Sequence, residues 1–201
     1  MAVSLHELRR SLKRQRAALS KQQQAIFSQR AVSKLCRCRS FRAARNIALY
    51  LPVRGEIDPR PLLQHAHPQQ RFYLPVLSPN KHSGLVFVRW TKHTRFRRNR
   101  FKIPEPCIRS SHSLPATALD WVVTPLLGFD SHGNRLGMGG GFYDRSFAFK
   151  RLYLGKSKRP LLIGFAYHFQ HITPPLQAQN WDVPLDAICT DKTYQHFNAK
   201  K

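Results

Sequence analysis

The 201-residue sequence carries 34 Lys and Arg residues against 10 Asp and Glu residues, which gives a formal net charge of +24. Hydrophobic residues make up 42% and aromatic residues 11%, a composition that excludes a disordered chain and predicts a single domain over residues 1–201. No apolar run approaches the roughly 18–20 residues of a membrane span, and the N-terminus shows no signal-peptide pattern. We therefore predict a cytoplasmic protein with no membrane partner. The four cysteines have neither zinc-knuckle spacing nor the density of a disulfide framework, and they are predicted to be free thiols.

The first quarter of the chain is basic and helical in pattern. Residues 4–38 predict a helical segment that is interrupted near Ser20, whose hydroxyl can cap a second helix. Asn46–Leu51 is a nearly continuous apolar run, as expected for a strand that is buried on both faces. Residues 59–67 predict a short helix. Twelve basic residues and one acidic residue precede position 50.

The rest of the chain alternates between predicted strands and helices. Further strands are predicted at Arg71–Leu77, Leu85–Trp90, Leu119–Pro125, Leu161–Tyr167 and Ala187–Thr190. A polar stretch from Trp90 to about Ala118 predicts a surface loop, and a helix is predicted over Phe142–Leu152. This alternation indicates an α/β layered domain, in which ligands bind at the carboxyl ends of the strands. We expect the loops that follow Leu51, Thr124 and Tyr167 to converge at one edge of the sheet.

Glycine is concentrated in one loop. Six of the ten glycines lie between Gly128 and Gly141, where uncovered N–H groups and positive φ angles allow the backbone to wrap around an anion such as phosphate. A helix that begins inside this run would add unpaired N–H donors and the positive end of its dipole. The run matches neither the P-loop, because no Lys follows the glycines, nor the Rossmann pattern, because Phe142 stands where a glycine is required. A flexible turn between strand and helix is the alternative.

Several side chains near this loop suit phosphate and heterocycle chemistry. Asp144 can be a Mg²⁺ ligand or can simply compensate the helix dipole, and Asp182 can be a second Mg²⁺ ligand or a turn residue. Glu56 can accept hydrogen bonds from the N–H groups of a heterocycle or can be an ordinary surface carboxylate. Tyr143 can place a phenol over the reaction centre and Phe142 can stack on a ring, although both can equally be core aromatics.

Several motifs together resemble the bacterial 5-formyltetrahydrofolate cyclo-ligase family, also called 5,10-methenyltetrahydrofolate synthetases. The matching segments are Arg135–Arg145, Pro125–Asp130, Leu51–Asp58, Tyr73–Val76, Trp181–Pro184 and the basic opening helix that ends at Ser20. The resemblance covers nearly the whole chain, and the glycine-rich segment is highly specific. It implies a three-layer α/β/α domain with a central, mostly parallel or mixed sheet, similar to the NagB/RpiA/CoA-transferase fold.

The resemblance also implies a reaction. ATP, with Mg²⁺, phosphorylates the formyl oxygen of 5-formyltetrahydrofolate, and N10 of the folate then attacks the activated carbon. Loss of phosphate yields 5,10-methenyltetrahydrofolate, with ADP as the other product. An enzyme of this kind is a ligase whose main work is to position two ligands and to screen phosphate charge.

By resemblance, the site residues fall into four groups. The ATP-binding residues are Arg9, Arg135, Leu136, Gly137, Met138, Gly139, Gly140, Gly141, Phe142 and Tyr143. The folate-binding residues are Leu51, Glu56, Met138, Gly139, Gly140, Gly141 and Phe142. Asp144 and Asp182 would hold Mg²⁺, and Tyr143 would lie at the formyl transfer. The chain departs from the family at Leu5, where Lys or Arg is usual.

The excess positive charge leaves a second function open. Residues 89–102 hold seven basic residues and no acidic one, and with the tract at 9–45 they could attract nucleic acid or small acidic substrates. An RNA-binding or regulatory protein on the same fold is therefore the alternative, although aromatic residues are sparse in both tracts and no known RNA-binding pattern is present. The same charge could attract the polyglutamate tail of cellular folates. A monomer or a small homo-oligomer is expected.

Overall fold

The structure is a computed structural model, and it describes residues 4–80, 84–108, 113–152 and 159–197. The α-helices in those ranges are α1 (Leu5–Ala17), α2 (Lys21–Cys36), α3 (Arg39–Ala43), α4 (Phe142–Ser146) and α5 (Phe149–Leu152). The strands are β1 (Asn46–Ala48), β2 (Arg71–Leu77), β3 (Leu85–Arg89), β4 (Phe96–Arg98), β5 (Pro104–Pro106), β6 (Ser113–Leu114), β7 (Trp121–Thr124), β8 (Gly128–Phe129), β9 (Arg135–Leu136), β10 (Leu161–Ala166), β11 (Ala187–Thr190) and β12 (Tyr194–His196). Short 3-10 helices occupy Arg60–His65, Ala116–Ala118 and His168–Gln170.

The two N-terminal helices are separated by a serine cap. Ser4 and Ser20 each accept a backbone N–H at the start of α1 and α2, and Glu7 and Gln23 complete the two capping boxes. The predicted interruption at Ser20 is confirmed. Helix α1 packs through Leu12 onto the small β8–β9 hairpin, which places the basic N-terminal helix beside the glycine-rich loop that follows β9.

The main sheet has eight strands in the order β12-β11-β10-β7-β1-β2-β3-β6. Its five central strands, from β11 to β2, are parallel to one another. At the two edges the pairs β11–β12, β2–β3 and β3–β6 are antiparallel. The predicted mixed, mostly parallel sheet is confirmed. Parallel strands need crossovers on the faces of the sheet, and these bury both faces.

The two faces of the sheet carry separate clusters of apolar side chains. Ile47 and Val123 point to the face that α2 covers, where they pack with Leu35. Their neighbours Ala48 and Val122 point to the opposite face and pack with residues around α4 and α5. This alternation along each strand gives the three layers that the resemblance implies.

The structure corrects four of the predicted elements. The stretch predicted as a surface loop contains the β4–β5 hairpin and β6. The sequence pattern missed these strands because they are short and contain prolines, which hides the period-two alternation. The helix predicted over Phe142–Leu152 is two short helices, since the chain leaves helical geometry at Phe147, whose ring is fully buried. The strand predicted over Asn46–Leu51 ends at Ala48, and the helix predicted over residues 59–67 is the 3-10 helix.

The loops after β1, β7 and β10 meet at one edge of the sheet, as predicted. The Tyr167 hydroxyl, after β10, donates to the Gly55 carbonyl after β1 at 3.1 Å. The Gln170 amide donates to the carbonyls of Leu126 and Leu127 after β7 at 3.1 and 2.8 Å. These hydrogen bonds tie the three loops into one surface. Within the described residues, no helix has the length and hydrophobicity of a membrane span, and all four cysteines are free.

Candidate active site

The glycine-rich loop presents bare backbone to the outside of the molecule. Gly139 has φ +95° and Gly141, the residue before α4, has φ +59°, so both positions favour glycine. A Cβ added at Gly137 or Gly139 would meet no atom within 4 Å. Met138 between them is half exposed. The open face of this loop can therefore be approached closely by a ligand.

Helix α1 supports the loop from the side. The Arg9 side chain donates through Nε to the Gly137 carbonyl at 3.1 Å, across 128 positions of sequence. Arg9 and the glycine-rich loop were both predicted to bind ATP, and the structure brings them together. The guanidinium adds positive charge to a surface of backbone N–H groups, which suits an anionic ligand.

At the base of the loop, Asp144 is fixed by two polar contacts. Its Oδ1 lies 2.5 Å from Nη2 of Arg135 and accepts the Val183 N–H at 3.1 Å. Arg135 also donates through Nη1 to the Val183 carbonyl. The Arg135 side chain is only 7% exposed, whereas Asp144 is 23% exposed. Arg135 thus joins the glycine-rich loop to the segment that carries Asp182.

Asp182 lies in a turn beside this cluster. Its carboxylate accepts the Gln179 N–H at 2.9 Å, and its own N–H donates to the Gln179 carbonyl at 3.0 Å. Asp182 therefore stabilises this turn. In the described part of the chain there is no group of three or more His, Cys, Asp or Glu side chains that could hold a metal by themselves. Two hard carboxylates beside a phosphate site nevertheless fit Mg²⁺, which commonly takes one or two carboxylates, phosphate oxygens and several waters.

A cavity of about 350 Å³ opens between these elements. Gly139, Gly140, Gly141 and Asp144 line one side of it, and the exposed Trp181 lines another. Arg145 and Arg151 complete the lining with positive charge. The cavity is in the size range of small-molecule sites, and its lining suits a phosphate-bearing ligand.

The loop after β1 has a different construction. Arg54 and Gly55 have φ +50° and +75°, and this tight left-handed turn directs the following Glu56 inward. The Glu56 side chain is 12% exposed, and its Oε2 accepts the Val53 N–H at 3.1 Å. It lines a second cavity of about 400 Å³. Glu56 is therefore a buried, oriented carboxylate, and the surface alternative is wrong.

Arg16 was not identified from the sequence, yet it lies directly behind Glu56. The side chain is 2% exposed, donates through Nε to the Arg54 carbonyl at 3.0 Å, and brings Nη1 to 3.5 Å from Glu56 Oε1. Burial raises the pKa of Glu56, while Arg16 and the Val53 hydrogen bond lower it. A basic residue among many on an amphipathic helix gives no signal that it points inward.

Tyr143 lies where the two loops meet. Its phenol is close enough to Glu56 for that carboxylate to raise the pKa of Tyr143 further, beyond the larger effect of burial, whereas Arg135 lowers it. Its ring stacks on Phe147 with centroids 6.1 Å apart. The phenol therefore stays protonated at neutral pH and is available to donate a hydrogen bond to a ligand.

The tip of the β4–β5 hairpin also reaches the site. The rings of Phe101 and Phe142 are 5.9 Å apart, and the Arg100 guanidinium lies 5.0 and 5.8 Å from their centroids. On α4, the Arg145 guanidinium lies 5.0 Å from the Phe142 ring. The sequence pattern missed this contact because the hairpin was read as a surface loop. Part of the second basic tract is thus placed at the candidate site.

Comparison with known proteins now decides the family. The sequence model of the 5-formyltetrahydrofolate cyclo-ligase family matches residues 2–191. The chain belongs to this family. It is 35% identical to the 5-formyltetrahydrofolate cyclo-ligase of Escherichia coli K12 and 38% identical to that of Haemophilus influenzae, over 89% of this chain and 96% and 93% of theirs. It also resembles the NMR structure of the 5,10-methenyltetrahydrofolate synthetase of Aquifex aeolicus, with a TM-score of 0.79 and 27% identity over 98% of this chain and 94% of that one.

Within this cyclo-ligase fold, most of the predicted site residues cluster as described. Two differ from the rest. Leu136 is buried against Leu12 in the small apolar cluster under α1, so its side chain faces the interior. Leu51 is partly buried against the main core. Leu5, where the family usually has Lys or Arg, is an exposed residue at the start of α1.

Proposed function

We propose that the protein cyclises 5-formyltetrahydrofolate to 5,10-methenyltetrahydrofolate with ATP as co-substrate, releasing ADP and phosphate. The observation that carries this proposal is that Tyr143, in the helix directly after the bare glycine-rich loop, lies close enough to the oriented Glu56 carboxylate for that charge to act on its phenol. The loop suits a phosphate chain, and the carboxylate suits the N–H groups of a pterin. Family membership supplies the reaction class.

Arg9 and the N–H groups of Gly139, Gly140 and Gly141 would hold the triphosphate. The γ-phosphoryl group is transferred to the formyl oxygen, and N10 attacks the formyl carbon and loses its proton to water. The C–O bond to the phosphorylated oxygen then breaks to release phosphate. Most of the catalytic effect in such a sequence comes from positioning and from electrostatic stabilisation. Backbone donors of the glycine-rich loop and the neighbouring guanidinium groups would supply both.

Glu56 would accept hydrogen bonds from the pterin ring, with Leu51 nearby. Tyr143, protonated and between Glu56 and Arg135, would donate a hydrogen bond to the formyl group as its oxygen is transferred to phosphorus. Phe142, held between two guanidinium groups, would form the wall between the nucleotide and the folate. The catalytic role that we assign to Tyr143 is therefore hydrogen-bond donation and not base catalysis.

Asp144 and Asp182 would bind Mg²⁺ together with phosphate oxygens. The fit is supported by the chemistry of two carboxylates that flank Val183 beside the glycine-rich loop. Bound Mg²⁺ would neutralise charge on the transferring phosphate. Arg135, which contacts Asp144, would keep that carboxylate oriented before the nucleotide arrives.

A turnover assay tests the proposal. Purified protein mixed with ATP, Mg²⁺ and 5-formyltetrahydrofolate is expected to develop the ultraviolet absorbance of the methenyl product, and release of one phosphate per product is expected. Reactions without ATP, or with 5-methyltetrahydrofolate, which has no formyl oxygen to phosphorylate, are the controls. Product formation without ATP would overturn the proposal, and so would its absence from the complete reaction.

The positive charge around the site supports a preference for polyglutamylated folates. Arg100 at the hairpin tip, Arg145 and Arg151 all lie beside the cavity or beside Phe142. A tail of several carboxylates would be attracted to such a surface at low salt. A lower KM for the triglutamate than for the monoglutamate, with a difference that shrinks as salt rises, is expected. Equal KM values at low salt would remove this part of the proposal.

A further inference from the structure

We propose that Arg16 is the positioning residue for substrate recognition: its buried guanidinium keeps the Glu56 carboxylate ionised and aimed at the pterin ring. This inference rests on the proposed function, in which Glu56 accepts hydrogen bonds from the folate. It concerns a residue of α1 that approaches Glu56 at 3.5 Å. Three observations carry it.

The first observation is the burial of the ion pair. Arg16 is 2% exposed and Glu56 is 12% exposed, with 3.5 Å between Nη1 and Oε1. Removing two charges from water costs several kcal/mol for each ion, so buried arginines are rare unless they are paired. Hydrophobic packing of α1 does not need this charge, because Leu12 already anchors the helix. The buried positive charge of Arg16 is therefore best explained by its interaction with the Glu56 carboxylate.

The second observation is that Arg16 holds the backbone as well as the carboxylate. Its Nε donates to the carbonyl of Arg54, which has φ +50°, and its own backbone packs against Gly55, which has φ +75°. The Tyr167 hydroxyl supports the same turn from β10. A left-handed turn of two residues is costly for the chain, so contacts from two other elements are needed to hold it. This turn at Arg54 and Gly55 is the one that directs the Glu56 side chain inward.

The third observation is the incomplete pairing of the guanidinium. Nη1 of Arg16 has no hydrogen-bond partner among the described residues, and its distance to Glu56 is longer than a hydrogen bond. The attraction is therefore electrostatic, and it leaves the lone pairs of Glu56 Oε1 available, while Oε2 accepts the Val53 N–H. A tight bidentate pair would consume the acceptor positions that a pterin needs. This geometry preserves the negative charge of Glu56 and leaves acceptor positions of its carboxylate for the pterin.

The charged and titratable groups around Glu56 come from every element that packs against it. Arg16 from α1 and Arg54 from the same turn lower its pKa, whereas burial raises it. Tyr50, Tyr143 and Tyr167 surround it, and the pKa of each is raised in part by the charge of Glu56. Arg16 is the buried cation of this set, so its removal should leave Glu56 protonated to a higher pH. A protonated carboxyl group donates one of the hydrogen bonds that an ionised one would accept.

The test compares Arg16→Met with Arg16→Lys in the turnover assay, at saturating ATP and between about pH 5.5 and pH 9. For Arg16→Met, kcat/KM for 5-formyltetrahydrofolate should fall about thirtyfold near pH 6, with most of the loss recovered near pH 9 as Glu56 ionises. The acid limb of the profile should move to higher pH by about 1.5 units or more, because a thirtyfold loss at acid pH requires a pKa shift of at least that size. Arg16→Lys keeps a charge and should keep the acid limb near its normal position. The KM for ATP should change less than threefold, or about 0.6 kcal/mol, in both variants.

An unchanged acid limb in Arg16→Met, or an equal loss at every pH, would overturn the inference, because either result indicates a purely structural role. If Arg16→Met does not fold, the double variant Arg16→Met with Glu56→Gln replaces the buried pair by neutral groups. It should be no less active than Glu56→Gln alone, and a further tenfold loss would count against the positioning role.

Glu56→Gln separates this inference from the proposed function. It should raise the KM for folate and abolish the acid limb. A normal KM and pH profile in Glu56→Gln would remove the pterin role of Glu56, and the proposed folate site with it. A clear defect in Glu56→Gln beside a normal Arg16→Met would overturn the Arg16 inference alone.

Discussion

The loop after β1 and the loop after β9, which we propose to form one site, have opposite constructions. The first directs one carboxylate inward, where Glu56 is 12% exposed and lies against a buried arginine. The second faces outward at Gly137 and Gly139, where an added Cβ would meet no atom within 4 Å. Tyr143, at the start of α4, lies close enough to both loops that Glu56 raises the pKa of its phenol and Arg135 lowers it.

This difference matches the two ligands. A pterin is a rigid heterocycle with fixed N–H directions, and a buried acceptor selects it because any mismatch leaves a polar group unpaired. A triphosphate is flexible and highly charged, and a row of backbone N–H groups with a few arginines binds it without demanding one geometry. Selectivity is thus expected from the buried loop, and phosphate affinity from the open one. Four substitutions test this division.

The largest effect is expected from Asp144→Asn, at the base of the open loop. The change removes a carboxylate that contacts Arg135 and is proposed to hold Mg²⁺. Turnover should fall about a hundredfold or more, because several kcal/mol of charge stabilisation on the phosphate are lost. The measurement is kcat as a function of Mg²⁺ concentration. Glu7→Gln, which removes an equal charge from the exposed first turn of α1, is the matched control, and near-normal turnover of Asp144→Asn at limiting Mg²⁺ would argue against the metal role.

Tyr143→Phe tests the residue between the two loops. Loss of a hydrogen-bond donor to the formyl group should lower kcat about thirtyfold, or about 2 kcal/mol, within the range for a hydrogen bond to a group that becomes charged. Because the pKa of Tyr143 is raised, its phenol keeps its proton as pH rises, so the wild-type rate should show no alkaline limb from this residue up to about pH 10. The pH profile of kcat checks both points. Tyr194→Phe on β12 is the control, and an alkaline limb near pH 8 that vanishes in Tyr143→Phe would contradict the donor role.

Gly139→Ala tests whether the bare backbone matters. At φ +95° a Cβ strains the chain by about 1–2 kcal/mol, so the loop should leave the shape that binds phosphate. The KM for ATP should rise about tenfold, while the KM for folate changes less. Gly137→Ala is the matched control, because its Cβ would also meet no atom and its φ is not left-handed. An equal effect of the two variants would mean that open space, and not backbone conformation, is what the ligand requires.

The smallest effect is expected from Arg100→Ala at the hairpin tip. Arg100 lies over the rings of Phe101 and Phe142, and exposed cation–π contacts contribute about 0.5–1 kcal/mol each. The KM for 5-formyltetrahydrofolate should rise about threefold at low salt. Arg95→Ala, in the same basic tract, provides the comparison. A rise of the same size in Arg95→Ala would show that net charge alone accounts for the effect.

Much of the site could be predicted because its signals are local. The glycine run, Asp144 in a helical first turn and the Ser20 cap are each visible within a few residues of sequence. The sheet core could be predicted for the same reason, since apolar runs such as Ala187–Thr190 mark strands buried on both faces.

The residues that were missed depend on contacts between distant segments. Arg16 reads as one more basic residue on a helix, and only the turn 38 positions later explains its burial. In the sequence, Phe101 appears within a polar loop. In the structure, Asn99 accepts the Phe101 N–H and donates to the buried Glu105, and these hydrogen bonds shape the segment into a hairpin. The break in the predicted helix at Phe147 likewise arises from packing against Phe87, which no local pattern encodes.

A crystal structure with a non-hydrolysable ATP analogue, Mg²⁺ and 5-formyltetrahydrofolate would examine the shared site most directly. The γ-phosphate should lie within hydrogen-bond distance of the N–H groups of Gly139–Gly141, with Mg²⁺ held by Asp144 and Asp182 and the pterin on Glu56. A triphosphate bound elsewhere, with the glycine-rich loop empty and the pterin away from Glu56, would contradict the account.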